Sequence, residues 1–156
     1  LVEGLATGFW IGHLPRAPGT FGTLLAVPVV ALLQLLHPLN YIFALIVILL
    51  LSIAVCEVHE MLTGRHDCQR VVIDEVVGYI IAMTWLPATW QSFAAAFVLF
   101  RFFDILKPFP IRQIDQRVRG GLGTVLDDVA AGLIANVVLQ VVYTRTDWLG
   151  AQLVFR

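Results

Sequence analysis

Charge is scarce in this chain: charged residues fill 13% of its 156 positions, the formal net charge is −1, and 59% of positions are apolar. So small a net charge creates no long-range field for a polyanion, and no stretch interleaves Lys or Arg with aromatic residues, so nucleic acid is set aside as a partner. Cysteine is equally sparse. Cys56 and Cys68 have no companion Cys or His at zinc spacing, which argues against a disulfide framework or a structural zinc and for free thiols in a reducing compartment. The first residues lack the basic, apolar and small-residue order of a signal peptide, so no export is expected. Internal repeats, low-complexity tracts and linker-like compositions are missing too. One compact helical domain over residues 1–156 is then the simplest organisation.

What the chain does contain is apolar runs, at 23–36, 40–56, 76–86, 92–105 and 129–143, each bounded by Pro, Gly, Asn or charge. A perpendicular membrane span needs about 20 apolar residues, and only 40–56 approaches that alone. The others must borrow length from polar flanks packed inside a bundle, where carboxylates and guanidinium groups satisfy one another. A soluble helical bundle with a large core is the alternative. Basic residues favour the membrane, because they collect in alternate connections. Arg16 precedes the first helix, Arg65 and Arg70 follow the second, and Lys107, Arg112, Arg117 and Arg119 follow the fourth. The connections 37–40 and 87–91 carry none. The positive-inside rule then places 57–72 and 106–127 in the cytoplasm and 37–40 and 87–91 outside, with Arg145 and Arg156 opposing.

Polar residues that solvation does not explain fall in three segments, 12–23, 65–78 and 100–132. In the second, Asp67 precedes an adjacent pair, Asp74 and Glu75, set among Val and Ile. Acids there suit a helix start. Charges at membrane depth cost roughly 2.5–3.5 kcal/mol each, however, so the pair also calls for a cation or a wet cavity. In the third, Arg101, Asp104 and Lys107 are spaced by three and form one polar face of a helix that Pro108 ends. They could be a salt-bridge ladder, or the planar cation, carboxylate and point charge that hold phosphate oxygens beside a metal. Gly120, Gly121 and Gly123 then read as a turn open to an anion, and Asp127 and Asp128 open the next helix. Gly78, Ala131 and Gly132 would let two helices approach until the acid pairs face each other. Facing carboxylates repel. A hard divalent cation relieves this most simply, and oxygen-only donors select Mg²⁺ or Mn²⁺. In the first segment Arg16, Gly19 and Thr20 lie in a Pro/Gly-rich loop whose N–H groups suit phosphate. A capped entry turn with Thr23 as N-cap is the alternative. Glu57, His59 and Glu60 read as a solvated helix end, and Trp85 and Trp90 as packing or boundary anchors.

The stretches 15–24 (PRAPGTFGTL), 72–78 (VIDEVVG), 100–110 (FRFFDILKPFP) and 120–132 (GGLGTVLDDVAAG) resemble, in order and spacing, the signature blocks of the phosphatidylglycerophosphatase A family. The likeness runs from Gly8 to Tyr143, with a departure at Cys68, where relatives often carry Pro. It implies an all-α fold, Mg²⁺ dependence, and dephosphorylation of phosphatidylglycerophosphate to phosphatidylglycerol at the cytoplasmic face of the bacterial inner membrane. The expectation is a bundle of about five apolar helices with metal ligands drawn from Asp67, Asp74, Glu75, Asp104, Asp127 and Asp128. Arg101 and Lys107 would clamp the phosphate, with Arg16, Gly19, Thr20, Gly120 and Gly121 on the substrate. The metal would polarise the phosphoryl group and activate water. Direct attack by water is preferred because no Asp-x-Asp nucleophile motif is present, with a covalent aspartyl-phosphate as the other route. The runner-up enzyme, a CDP-alcohol phosphotransferase, lacks its Asp-Gly-x-x-Ala-Arg continuation after Asp128. An ion-coupled transporter would place its acids at mid-membrane rather than at one face.

Overall fold

A computed structural model of the chain describes residues 2–8, 17–64 and 71–150. Within these residues every regular element is an α-helix: α1 (Val2–Ala6), α2 (Pro18–Leu33), α3 (Pro38–Thr63), α4 (Ile73–Ala82), α5 (Trp90–Leu106), α6 (Ile111–Arg117) and α7 (Gly120–Arg145). The five longer helices correspond to the five apolar runs. The short α1 and α6 were not legible as apolar runs.

Two helices, α3 and α7, are long and apolar enough to cross a membrane, by length and composition. At 26 residues each, they extend about 39 Å at 1.5 Å per residue. α3 starts at Pro38 behind His37, whose ring accepts the Leu39 N–H at 3.4 Å, and stops at Gly64 in the left-handed conformation (φ 65°). It is apolar on nearly all sides and leaves Leu39, Phe43, Leu50 and Leu51 exposed. α7 is the hub, packed by α3, α4, α5 and α6. Its small buried residues, Gly121, Ala131, Gly132 and Ala135, allow close approach. A Cβ on Gly132 would overlap the Gly78 carbonyl of α4, and one on Gly78 would stand 2.8 Å from the Asp128 carbonyl. The expected glycine contact between these helices is therefore present.

α4 has 10 residues and ends at the buried Ala82 and Met83, so the carbonyls at its C-terminal end need partners inside the protein. α7 supplies them. Asn136 Nδ2 donates to Ala82 O at 3.0 Å and Thr84 O at 2.8 Å, and Gln140 Nε2 donates to Thr84 O at 3.0 Å. Around this junction Tyr79, Ile80, Met83, Phe100 and Leu139 form the core. The Tyr79 hydroxyl donates to Phe93 O at 2.9 Å, and that of Tyr41 to Ile80 O at 2.8 Å.

Three boundaries differ from the sequence reading. α2 begins at Pro18, so Thr23 lies inside it, bonding back to Gly19 O at 2.9 Å; Ala17 (φ 49°) is the N-cap. α4 closes at Ala82 rather than continuing to residue 86. The glycine-rich stretch is the first turn of α7 rather than a turn before it, and Asp127 and Asp128 sit about two turns inside the helix. Glycine disfavours helix by about 1 kcal/mol, but a side chain at Gly121 would collide with the Ile53–Glu57 backbone of α3. Tertiary packing overrides local propensity there.

Candidate active site

Three helix ends converge on one cavity of about 360 Å³: the start of α2, the start of α4 and the end of α5, closed on the fourth side by the third turn of α7. Its lining includes Pro18 and Gly19 from α2, Asp74 and Glu75 from α4, Arg101 and Asp104 from α5, Lys107 just after it, and Asp127 and Asp128 from α7. All seven residues of the expected catalytic set therefore share one wall system.

The acids are withdrawn from solvent. Asp74, Asp127 and Asp128 are 6%, 7% and 3% exposed. Asp74 Oδ1 accepts the Glu75 N–H at 3.0 Å, so part of the helix-start role read from the sequence is real. Carboxylate oxygens of Asp74, Glu75 and Asp128 lie within 4.8 Å of one another, and so do those of Asp104, Asp127 and Asp128. Both basic groups are already engaged. Arg101 Nη1 makes a short bond to Asp104 Oδ2 and stands 3.7 Å from Glu75 Oε1. Lys107 Nζ donates to Asp127 Oδ2 and to Asp115 Oδ1, each at 2.7 Å. Burial works against the Lys107 ammonium, but its hydrogen bonds to Asp115 and Asp127 and their charges outweigh that and hold its pKa above the ordinary lysine value. Lys107 is thus a permanent cation shared between two carboxylates.

Charge does not close in this cavity. Among the described residues, five carboxylates face two cations, and Glu75 Oε2, Asp128 Oδ1 and the Arg101 Nε donor are buried with no hydrogen-bond partner. An orphaned buried acceptor carries a cost of about 1–3 kcal/mol, more when charged. The donor set is all oxygen, which matches hard divalent cations such as Mg²⁺ or Mn²⁺ rather than zinc. The residues present fit such an ion.

Gly19 is buried where a Cβ would overlap Glu75 Oε1 and come within 2.8 Å of Arg101 Nη1, so the start of α2 rests on that ion pair. Thr20 lies one residue on, half-buried in the first turn of α2, outside the lining. Gly120 and Gly121 do not line the cavity either. They face α3, where Glu57 Oε2 accepts the Gly121 N–H at 2.6 Å and occupies the α7 N-terminus. Glu57 is therefore a helix cap for α7 rather than only a solvated group, and His59, 6% exposed, is buried. Arg16 and Asp67 lie outside the described residues. Asp115 was missed by sequence reasoning: it sits in a polar stretch where acids are ordinary, and eight residues along one continuous helix would hold it about 12 Å from Lys107 until the break between α5 and α6 is known.

Comparison with known proteins agrees with the signature blocks. The profile described as Phosphatidylglycerophosphatase A matches residues 4–143. A phosphatidylglycerophosphatase A of Haemophilus influenzae is 42% identical over 137 residues, covering 86% of this chain and 84% of the relative. That of Escherichia coli is 41% identical over 138 residues, covering 86% and 79%. A protein of Bacteroides thetaiotaomicron named putative phosphatidylinositol-3-phosphatase is 35% identical over 144 residues, covering 88% and 90%. No solved structure gives a significant match. With the match spanning all four cavity-forming segments, the chain belongs to the phosphatidylglycerophosphatase A family.

Proposed function

We propose that this protein is a membrane-embedded, Mg²⁺-dependent phosphatase that hydrolyses phosphatidylglycerophosphate to phosphatidylglycerol and phosphate in bacterial phospholipid synthesis, with Mn²⁺ as a possible substitute. The substrate comes from the names of the Haemophilus and Escherichia relatives. The observation that carries the chemistry is the set of orphaned buried groups in one cavity: carboxylate oxygens on Glu75 and Asp128, and a guanidinium donor on Arg101.

Asp74, Glu75, Asp104, Asp127 and Asp128 would hold the cation, with Asp67 of the preceding segment as a further candidate. When bound, the cation supplies Lewis-acid polarisation of the phosphoryl group and makes water a better nucleophile at neutral pH. The protein's own groups do the rest. Arg101 presents a planar fork whose Nη1 is anchored by Asp104, so its remaining donors, Nε among them, are aimed without further loss of side-chain freedom. Lys107, fixed by Asp115 and Asp127, adds positive potential at the equatorial phosphoryl oxygens. Water attacks phosphorus, the bond from phosphorus to the glycerol oxygen breaks, and that oxygen leaves with a proton.

Exposed apolar side chains support the bilayer. Phe43, Leu50 and Leu51 on α3, Val98 and Phe102 on α5, and Leu133, Val137 and Val141 on α7 would otherwise face water together. The Lys/Arg asymmetry supports a multi-pass arrangement in the inner membrane with the acid cavity facing the cytoplasm, since Lys107 lines the cavity and Arg112, Arg117 and Arg119 follow it in the same connection. The test is phosphate release by the purified protein from phosphatidylglycerophosphate, with and without EDTA. Release that chelator abolishes and Mg²⁺ restores is expected; full turnover in excess chelator overturns the metal role. Phosphatidylinositol 3-phosphate belongs in the same assay because of the Bacteroides relative's name.

A further inference from the structure

We propose that the cavity is built for two divalent cations rather than one, with Asp128 as the ligand they share. This rests on the metal-dependent reading above and extends it. Asp128 is the only residue common to the two oxygen clusters, the one with Asp74 and Glu75 and the one with Asp104 and Asp127. It is 3% exposed, it lines the cavity, and its Oδ1 has no hydrogen-bond partner among the described residues. A buried carboxylate left in that condition between two groups of acids is placed to bridge.

Coordination number argues the same way. One Mg²⁺ has six positions, keeps several waters and ordinarily takes one or two carboxylates, whereas five carboxylates line this cavity. Neighbouring oxygens on one octahedral ion at about 2.1 Å lie about 3.0 Å apart and opposite ones about 4.2 Å, so clusters within 4.8 Å close on an ion with side-chain shifts of up to about an ångström. The ion pairs do not bar the second position. The bond of Asp104 to Arg101 uses Oδ2, and a carboxylate has two oxygens.

Charge among the described residues argues for the second ion as well. Among the described residues, five carboxylates in the lining meet Arg101 and Lys107, and Asp115 draws on the Lys107 charge as well, so six acids stand against two bases. One divalent ion leaves the wall net negative, and it would then repel a phosphomonoester dianion. Two ions bring these described charges to balance and remove that repulsion. Paired ions roughly 3.5–4 Å apart are also the arrangement that steadies both the attacking and the leaving oxygen of an in-line displacement.

Mn²⁺ titration of the full chain in detergent micelles, read by bound-metal analysis and electron paramagnetic resonance without substrate, tests this. Two Mn²⁺ per chain with a spin-coupled signal are expected. Asp74→Asn and Asp104→Asn should each retain one tightly bound ion with an uncoupled spectrum. Asp128→Asn should lose the coupling and weaken binding at least tenfold while remaining helical by circular dichroism. Should Asp128→Asn fail to fold, the Asp74 and Asp104 variants decide. One ion per chain, with EDTA-sensitive phosphate release intact, overturns the paired site and leaves the metal-dependent phosphatase standing. Two uncoupled ions overturn it as well. No bound ion overturns both.

Discussion

Arg101 has the most demanding position of any residue in the cavity. It balances Asp104 on its own helix, stands near Glu75 on α4, and keeps a buried Nε without a hydrogen-bond partner. Arg101→Lys keeps the charge but loses the fork, so turnover should fall and should not be restored by added Mg²⁺. Asp104→Asn keeps shape while removing a ligand charge, so raising Mg²⁺ should recover part of its loss. Mg²⁺ titrations of turnover beside melting curves separate these outcomes. Near-normal turnover in both would reduce the face to a boundary salt-bridge ladder worth about 1 kcal/mol or less. Gly19 gives a second test at this scale. A methyl there would push into Glu75 and Arg101, and displacing catalytic groups by about an ångström costs roughly 100-fold. Gly19→Ala should therefore lose turnover on that order with an unchanged melting temperature, and an unimpaired enzyme would show that the start of α2 yields freely. Of these residues, Arg101 and Asp104 were legible from their spacing by three. The pairing of Gly19 with Glu75 was not, because it joins positions 56 residues apart in sequence.

Between elements, the decisive contact is α4 against α7. It carries Asp74 and Glu75 toward Asp127 and Asp128, and it depends on Gly78 and Gly132, where the two backbones nearly touch. Gly132→Ala inserts a methyl where no side chain can rotate away, so it should destabilise by about 1–3 kcal/mol. It should also weaken Mn²⁺ binding, because the acid pairs move apart. Detergent melting and metal titration on the same variant check both; a drop in melting temperature without weaker binding would detach the glycine contact from the site. The expected approach of these helices was readable from the small residues. That the glycines at 120–123 are helical was not, since their helicity comes from α3 pressing on Gly121 and from Glu57 taking its N–H.

Over the whole molecule, polarity is separated along the bundle. The acid cavity lies where α4 and α7 begin and α5 ends, while the exposed Trp85 and Trp90 stand at the opposite ends of α4 and α5, consistent with aromatic anchoring at a membrane boundary. Topology is tested in a background with Cys56→Ser and Cys68→Ser. A membrane-impermeant maleimide added outside should label Ala88→Cys in intact cells and Gln113→Cys only after permeabilisation. Labelling of Gln113→Cys from outside would invert the proposed orientation.

What the sequence by itself determined is what contiguous residues can encode: all-α character from apolar runs, the adjacent acid pairs, the polar face of α5, and the four family blocks. Tertiary structure alone decided which carboxylates share oxygens within 4.8 Å, that Asp128 sits between both groups, that Asp115 joins Lys107 and Asp127, and that Gly120 and Gly121 face Glu57 instead of the cavity. The physical reason is that helical period fixes the angular position of a side chain about its own axis and nothing else. Distances between helices follow from how closely backbones pack, and here that closeness is set by pairs of small residues far apart in the chain.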